Sequence, residues 1–207
     1  MRVVIPFAPH DPKTRLSEIL TSDERYEFAK VMLEDVTTAV KSAGIIPEIL
    51  STENIESQCK VIVDDRPLSV AVNSVLENSK MPIAIVMSDL AIATAESIRK
   101  LIESKGEISI VPGNLGGTNA FVTHKEDFRV DYHGTSYLDH VKIAEDIGAS
   151  VTEIDSFRLA TDIDVKEDLV EILIHGKGKS RDWLIENGFY IEVQGQNRVE
   201  IYRREEG

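Results

Sequence analysis

The sequence predicts an α/β fold of three layers, a mostly parallel mixed sheet between two layers of helices. Three observations lead there. Strand-like and helix-like segments alternate along residues 1–176, the order that builds parallel sheets through crossover connections. Residues 82–90, PIAIVMSDL, are almost continuously apolar, as a strand buried on both faces must be. The helix-like segments begin with capping chemistry, Thr21 with Glu24, Pro67, and Thr94, each of which satisfies or avoids a free backbone donor at a helix start.

Taken in order, residues 2–8, RVVIPFA, make the first strand. One basic residue and a short apolar run broken by Pro6 do not make a secretion signal. After a polar loop, residues 21–44 form a long amphipathic helix. Phe28, Met32, Val36 and Val40 recur every fourth residue, and Gly44 sits where the chain leaves the helix. IPEILS (46–51) and KVIVDD (60–65) read as strands, and residues 67–79 as a helix. Beyond the buried strand come a helix over 94–106, a strand in EISIVPGN, and an extended run, GGTNAFVTH (116–124), that starts with a turn. Residues 135–150 form a helix ended by Gly148, 151–159 are extended, and 165–176 and 179–188 are helical. Residues 189–205 alternate apolar and polar around Gly195–Gln196–Asn197, the pattern of a hairpin. We therefore expect a single domain over 1–207, with its core in 1–176 and an appendage of helix and hairpin in 177–207. Trp183, Phe189 and Tyr190 pack that appendage. The apolar hairpin positions Ile191, Val193, Val199, Ile201 and Tyr202 would rather pair than face water, which points to a homodimer.

Composition excludes several classes. The net charge is −13 with no basic stripe, so a nucleic-acid backbone would be repelled. No apolar run reaches the ~20 residues that span a bilayer. One cysteine, Cys59, allows no internal disulfide, which fits a reducing cytoplasm, and no motif around it marks a nucleophile. The five histidines are scattered without zinc spacing.

The chemistry gathers at strand ends, where open α/β sheets bind ligands. Ser88 and Asp89 follow the buried strand directly. Asp162 and Asp164 flank Ile163. In extended chain, residues two apart face one side, so both carboxylates reach one point while Ile163 turns inward. The loop after the first strand carries Lys13 and Arg15. Carboxylates converging on one place raise one another's pKa, and a hard divalent cation such as Mg²⁺, which takes carboxylate and phosphate oxygens, relieves this. The competing reading of Asp162 and Asp164 is helix capping. GNLGGTNAF offers Gly116 and Gly117 for close backbone approach to an anion, with Thr118 and Asn119 as donors. Its spacing matches neither a P-loop nor a dinucleotide fingerprint. Gly134 and Ser136, in YHGTSYLDH, sit at a helix start, where free N–H groups favour a phosphate or carboxylate. Capping by Thr135 or Ser136 is again the alternative.

The ordered set VIPF…PKTRLSEILTSDERYEFAKVMLEDV, MSDLAI, GGTNAF, YHGTSYLDH and ATDIDVKEDL resembles the 2-phospho-L-lactate guanylyltransferases of coenzyme F-420 biosynthesis, over residues 2 to about 175. The resemblance implies a Rossmann-like nucleotidyltransferase sandwich of GT-A-like kind. It implies transfer of GMP from GTP to 2-phospho-L-lactate, giving lactyl-2-diphospho-5′-guanosine and pyrophosphate. It also implies Mg²⁺ on Asp89, Asp162 and Asp164, with Lys13 and Arg15 as the catalytic cations. The nucleotide would meet Lys13, Ser88 and, as a candidate for which a plain surface or capping role is the competing reading, Asn73 in the 67–79 helix. The small phosphorylated hydroxy acid would meet Thr118, Asn119, Gly134 and Ser136. Many relatives read F-G-x-G-S-F where this chain has Tyr132–His133–Gly134–Thr135–Ser136–Tyr137, and many carry a lysine near Ala8. Two other readings compete: transfer to another acceptor (phosphoenolpyruvate, a sugar phosphate or molybdopterin), and a non-catalytic nucleotide-binding domain.

Overall fold

A computed structural model describes residues 1–193 and 199–204. Its strands are β1 (Arg2–Phe7), β2 (Glu48–Ser51), β3 (Val61–Val63), β4 (Ile83–Val86), β5 (Ile108–Pro112), β6 (Thr118–Thr123), β7 (Val151–Glu153), β8 (Phe189–Val193) and β9 (Val199–Arg203). Its helices are α1 (Ser22–Ser42), α2 (Leu68–Glu77), α3 (Ala95–Ile102), α4 (Ser136–Asp146), α5 (Phe157–Ala160), α6 (Leu169–His175) and α7 (Lys179–Glu186). The first seven strands form one sheet in the order β3-β2-β1-β4-β6-β5-β7, and β8 and β9 pair separately. Neighbouring pairs are parallel except those of β6, which runs against both β4 and β5. The reversal matters for the site. It sets the first residues of β6 beside the carboxyl ends of β4 and β5, with Ala120 opposite Val86 and Thr118 opposite Pro112.

Alternation along the strands divides the core between two faces. Val3, Ile5 and Phe7 of β1 and Ala84 and Val86 of β4 pack with α1, α3 and α6. Val4, Ile83 and Ile85 face the other way, against α2, Phe121, Phe128 and Ala144 of α4. This is the three-layer sandwich. In α1 the predicted stripe is fully inside, with Phe28, Met32, Val36 and Val40 at most 1% exposed. The Thr21–Glu24 capping box forms in both directions, and Gly44 takes the left-handed φ of +96° that ends the helix.

The appendage is tied to α1. Both carboxylate oxygens of Asp35 accept backbone N–H bonds at 2.8 Å, from Lys179 and Ser180 at the start of α7. A Cβ on Gly178 would sit 2.2 Å from Asp35 Oδ1, so this junction needs glycine. Trp183 packs on Phe28 with ring centroids 5.0 Å apart. In the hairpin, Phe189 and Ile201 are 4% exposed, packed into the chain's own core. Those two positions are therefore covered from within. The turn Gly195–Gln196–Asn197 lies outside the described residues. Residues 151–159, predicted extended throughout, leave the strand at Glu153 and close one helical turn, α5. Leu159 and Ala160 donate back to the Ser156 carbonyl, and Thr161 Oγ1 to that of Phe157. Burial of Leu159 and exposure of Phe157 follow this turn's period, not a strand's.

Candidate active site

The carboxyl ends of β1, β2, β3 and β4 open into a cavity of about 700 Å³. Lys13, Arg15, Ser88, Asp89 and Asp164 line it. Lys13 lies between two acids, its Nζ 2.7 Å from Asp89 Oδ2 and 2.8 Å from Asp164 Oδ1. Arg15 Nη1 stands 3.3 Å from Asp164 Oδ2. Burial by itself would lower the Lys13 pKa, but the charges of and hydrogen bonds to Asp89 and Asp164 outweigh it and hold the ammonium above its ordinary value. Lys13 therefore stays charged at neutral pH.

Local folding accounts for this placement. Lys13 sits in the left-handed region at φ 54°, as does Asp11 at φ 41°, a conformation that costs an L-residue about 1–2 kcal/mol. Arg25, buried on the first turn of α1, holds the loop. Its Nε bonds the Pro12 carbonyl at 3.1 Å, its Nη1 the Leu20 carbonyl at 3.4 Å, and its other amino group pairs with Asp11. Across the cavity, the backbone N–H of Ile163 donates to the Asp89 carbonyl at 3.3 Å. With Ile163 fully buried, this pins the Asp162–Ile163–Asp164 segment against the end of β4 and turns its carboxylates toward Asp89. Capping does not explain these two acids. The side chain that accepts from Asp164 N and Val165 N, at 2.8 Å each, belongs to Asp168.

Asp162 takes a hydrogen bond from Asn119 Nδ2 at 3.1 Å, and the same amide donates to the Leu159 carbonyl at 3.0 Å. A Cβ on Gly113 would collide with the Asn119 side chain, so the glycine makes room for this brace. Asn119 thus holds Asp162 and does not face the cavity. Burial pushes the Asp162 pKa up, and the Asp89 and Asp164 charges add to the push against the Asn119 bond. Asp89 Oδ1 is buried with no hydrogen-bond partner among the described residues.

The remaining predicted residues divide in two. Thr118 opens β6, 4% exposed, with its Oγ1 2.9 Å from His140 Nδ1. Gly134 has φ +52° and Ser136 begins α4. Thr135 makes no side-chain cap there, so the first amides of α4 are left without that partner. Gly116 lies against Thr135, an added Cβ falling 3.3 Å from Thr135 Cγ2. These residues form a second wall, beside the acids and off the large cavity. Asn73 joins neither wall. Its amide donates to the Val130 carbonyl at 2.9 Å and accepts from Val130 N at 2.8 Å, and both ends are spent on tying α2 to the loop after β6.

Sequence reasoning missed Asp64, Asp65 and Arg66, which line the cavity from the end of β3, with Thr52 after β2. The strand-end rule that singled out Asp89 applies to them equally. Arg25 and His140 left no such signal, since each acts through partners remote in the chain.

The cavity wall carries three cations, Lys13, Arg15 and Arg66, against four carboxylates, Asp64, Asp65, Asp89 and Asp164. A polyphosphate would meet a net negative wall unless a further cation entered. Among the described residues, no three carboxylate, imidazole or thiol groups already stand as a metal-ligand set. Lys13 occupies the gap between two of the acids. The oxygen-only donors, the partnerless Asp89 Oδ1 and the charge balance nonetheless fit a hard divalent cation.

The family model described as "Guanylyl transferase CofC like" matches residues 1–204. A Halomicrobium mukohataei protein named 2-phospho-L-lactate guanylyltransferase is 50% identical over 97% of this chain and 99% of its own length. One of the same name from Methanoculleus marisnigri is 48% identical over 97% of this chain and 94% of its own. Among solved structures, a protein of Desulfovibrio desulfuricans G20 superposes with a TM-score of 0.74 at 15% identity, over 90% of this chain and 96% of that one. A nucleotidyl transferase from Methanothermobacter thermautotroptrophicus gives 0.58 at 14% identity, over 90% and 99%. At such identities these two speak for the nucleotidyltransferase fold alone. With the match running along almost its whole length, the chain belongs to the CofC-like guanylyl transferase family.

Proposed function

We propose that the protein transfers GMP from GTP to 2-phospho-L-lactate, giving lactyl-2-diphospho-5′-guanosine and pyrophosphate, with Mg²⁺ as cofactor. The observation that carries this is the ion cluster of Lys13 with Asp89 and Asp164 at the mouth of the cavity. It joins residues 151 apart in sequence and stands on the cavity wall, in neither apolar core. A phosphate oxygen of the acceptor attacks the α-phosphorus of GTP, the bond from that phosphorus to the β-bridging oxygen breaks, and pyrophosphate leaves. Lys13 and Arg15 bind the triphosphate and stabilise the charge gathering on the leaving group. Ser88 and the end of β3 line the nucleotide's side of the cavity. The uncapped start of α4, with Gly134, Ser136 and Thr118, seats the acceptor's anion. Asn119 keeps Asp162 aimed at the same place. An acceptor phosphate is already nucleophilic near neutral pH, so no side chain has to remove a proton. Asp89, Asp162 and Asp164 would hold the metal, which when bound supplies positive charge between the two phosphorylated substrates.

The test is pyrophosphate release by the purified protein from GTP and Mg²⁺ with 2-phospho-L-lactate, phosphoenolpyruvate, a sugar phosphate or molybdopterin. Fastest turnover with 2-phospho-L-lactate supports the reading, and turnover only with another acceptor replaces it. Nucleotide binding without pyrophosphate release would favour a non-catalytic domain. We further propose that residues 1–207 act as one unit in the cytoplasm. Among the described residues, no helix is long and apolar enough to cross a membrane. We also propose a homodimer through the strand edges of the β8–β9 ribbon, since Phe189 and Ile201 are already buried in the chain's own core. A monomeric mass by light scattering would contradict it.

A further inference from the structure

We propose that His140 is a positioning residue for the acceptor: its Nδ1–H engages the Thr118 hydroxyl oxygen, so the hydroxyl hydrogen is left to donate to an anionic oxygen of the substrate. The proposal rests on the guanylyltransferase reading.

The tautomer follows from the partners. His140 Nε2 lies 3.0 Å from the backbone N of Asp131. An amide N–H only donates, so Nε2 must offer a lone pair. His140 is completely buried, and burial holds its pKa down to about 4, so the ring is neutral and carries one proton. That proton is on Nδ1, 2.9 Å from Thr118 Oγ1. The hydroxyl oxygen therefore accepts. Its own hydrogen finds no acceptor among the described residues, although Thr118 is 4% exposed. A buried donor left unused costs free energy, and here it stands one strand residue from Asn119, the brace of Asp162. The turn before it, at Gly116, backs onto Thr135 at the start of α4. Edge-on contacts with Phe121, Phe128 and Tyr132 account for the ring's burial. They do not account for two aligned polar contacts at its two nitrogens.

Two measurements test this. Nitrogen-15 NMR of the imidazole at pH 7 should show the Nδ1–H tautomer, and an Nε2–H or doubly protonated ring overturns the proposal. In kinetics with 2-phospho-L-lactate, Thr118→Val should raise the acceptor KM about tenfold or more, the loss of one bond to a charged group. The KM for GTP should stay unchanged. His140→Gln can set its amide oxygen where Nε2 accepts from Asp131 N–H, but it then has a carbon rather than an N–H at the δ level that meets Thr118 Oγ1. It should raise the acceptor KM roughly three- to tenfold alone and add nothing in the Thr118→Val background. Independent, multiplying effects, or an equal rise in the KM for GTP, refute it. If His140→Gln does not fold, Thr118→Val decides, and an unchanged acceptor KM is the refuting result. Absence of turnover in the unsubstituted protein sinks the functional reading and with it the acceptor role. The NMR spectrum separates that failure from a wrong tautomer, because it reports His140 with or without turnover.

Discussion

Replacing Lys13 with methionine keeps most of the side chain's bulk and removes its charge. At an effective dielectric near 20, each contact of Lys13 is worth about 6 kcal/mol of gross attraction, most of it cancelled by desolvation. Removing one partner of a buried pair costs about 3–5 kcal/mol, because the other charge is stranded. Asp164 keeps 39% of its side chain exposed, whereas Lys13 keeps 12% and Asp89 20%. Solvent therefore relieves part of the loss, and about 2–3 kcal/mol is the reasonable figure. For a chain of this size that is a fall of roughly 4–12 °C in Tm. The vacancy is then cation-shaped. Mg²⁺ alone, at about 100 times its Kd, would return about 2.7 kcal/mol to Lys13→Met. In the unsubstituted protein the ammonium already stands between the acids, so Mg²⁺ without nucleotide should move Tm little. The assay is thermal unfolding of both proteins with and without Mg²⁺. Equal Mg²⁺ shifts, or a variant as stable as its parent, would mean that Lys13 does not neutralise Asp89 and Asp164 in this way.

Asp162→Asn should lower turnover by at least about a hundredfold while leaving Tm at pH 7 unchanged or raised. Its folded pKa lies above the ordinary carboxylate value, so the folded state binds the proton more tightly. Stability from this group is greatest at low pH and is lost as pH rises through the folded pKa. A neutral amide removes that loss, and a destabilised variant would contradict the assignment. Arg25→Met should cost about 2–3 kcal/mol in urea unfolding, through three lost contacts to the loop, and lower kcat/KM about tenfold by releasing Lys13; unchanged kinetics would break the link between Arg25 and the site. Glu24 is held down to about 2, above all by its hydrogen bond to Arg203; burial pushes the other way, and the Thr21 bonds and the Arg203 charge add smaller lowering effects. Its contribution is present above the ordinary carboxylate range and disappears as pH falls through about 2. The stability gap between the parent and Glu24→Gln should therefore be flat at neutral pH and close in acid. A gap that widens on acidification contradicts the pairing.

Much of the fold was legible because local rules and tertiary structure agree. The Thr21–Glu24 box and the Thr94 cap form as written, the latter with Ser97 as a partner not singled out from the sequence, and the apolar run of β4 is buried on both faces. The exception is 157–160. In the sequence alone so short an element carries too few periods to choose between an extended run and a single turn; it is the burial of Leu159 against the exposure of Phe157 that decides for the turn. Of the site, the strand-end acids could be read, since Asp89 and the Asp162–Asp164 pair follow from where a sheet must end. What each polar neighbour does could not. Asn73, inside α2, and Asn119, at the start of β6, are both asparagines expected at the substrates, yet one clasps the Val130 backbone and the other braces an acid. Their partners lie 57 and 43 residues away. His140 read as one of five scattered histidines, because only the packed structure reveals which nitrogen faces which group.

On the guanylyltransferase reading the acids around Lys13 bring two phosphorylated molecules together, and these join with loss of pyrophosphate. Phosphorus-31 NMR of GTP, 2-phospho-L-lactate and Mg²⁺ with the protein tests this most directly. Free pyrophosphate should appear together with a pair of mutually coupled resonances from a new, unsymmetrical diphosphate bridge. Conversion of GTP to GDP and phosphate, or unchanged substrates under conditions where GTP binds, would contradict it.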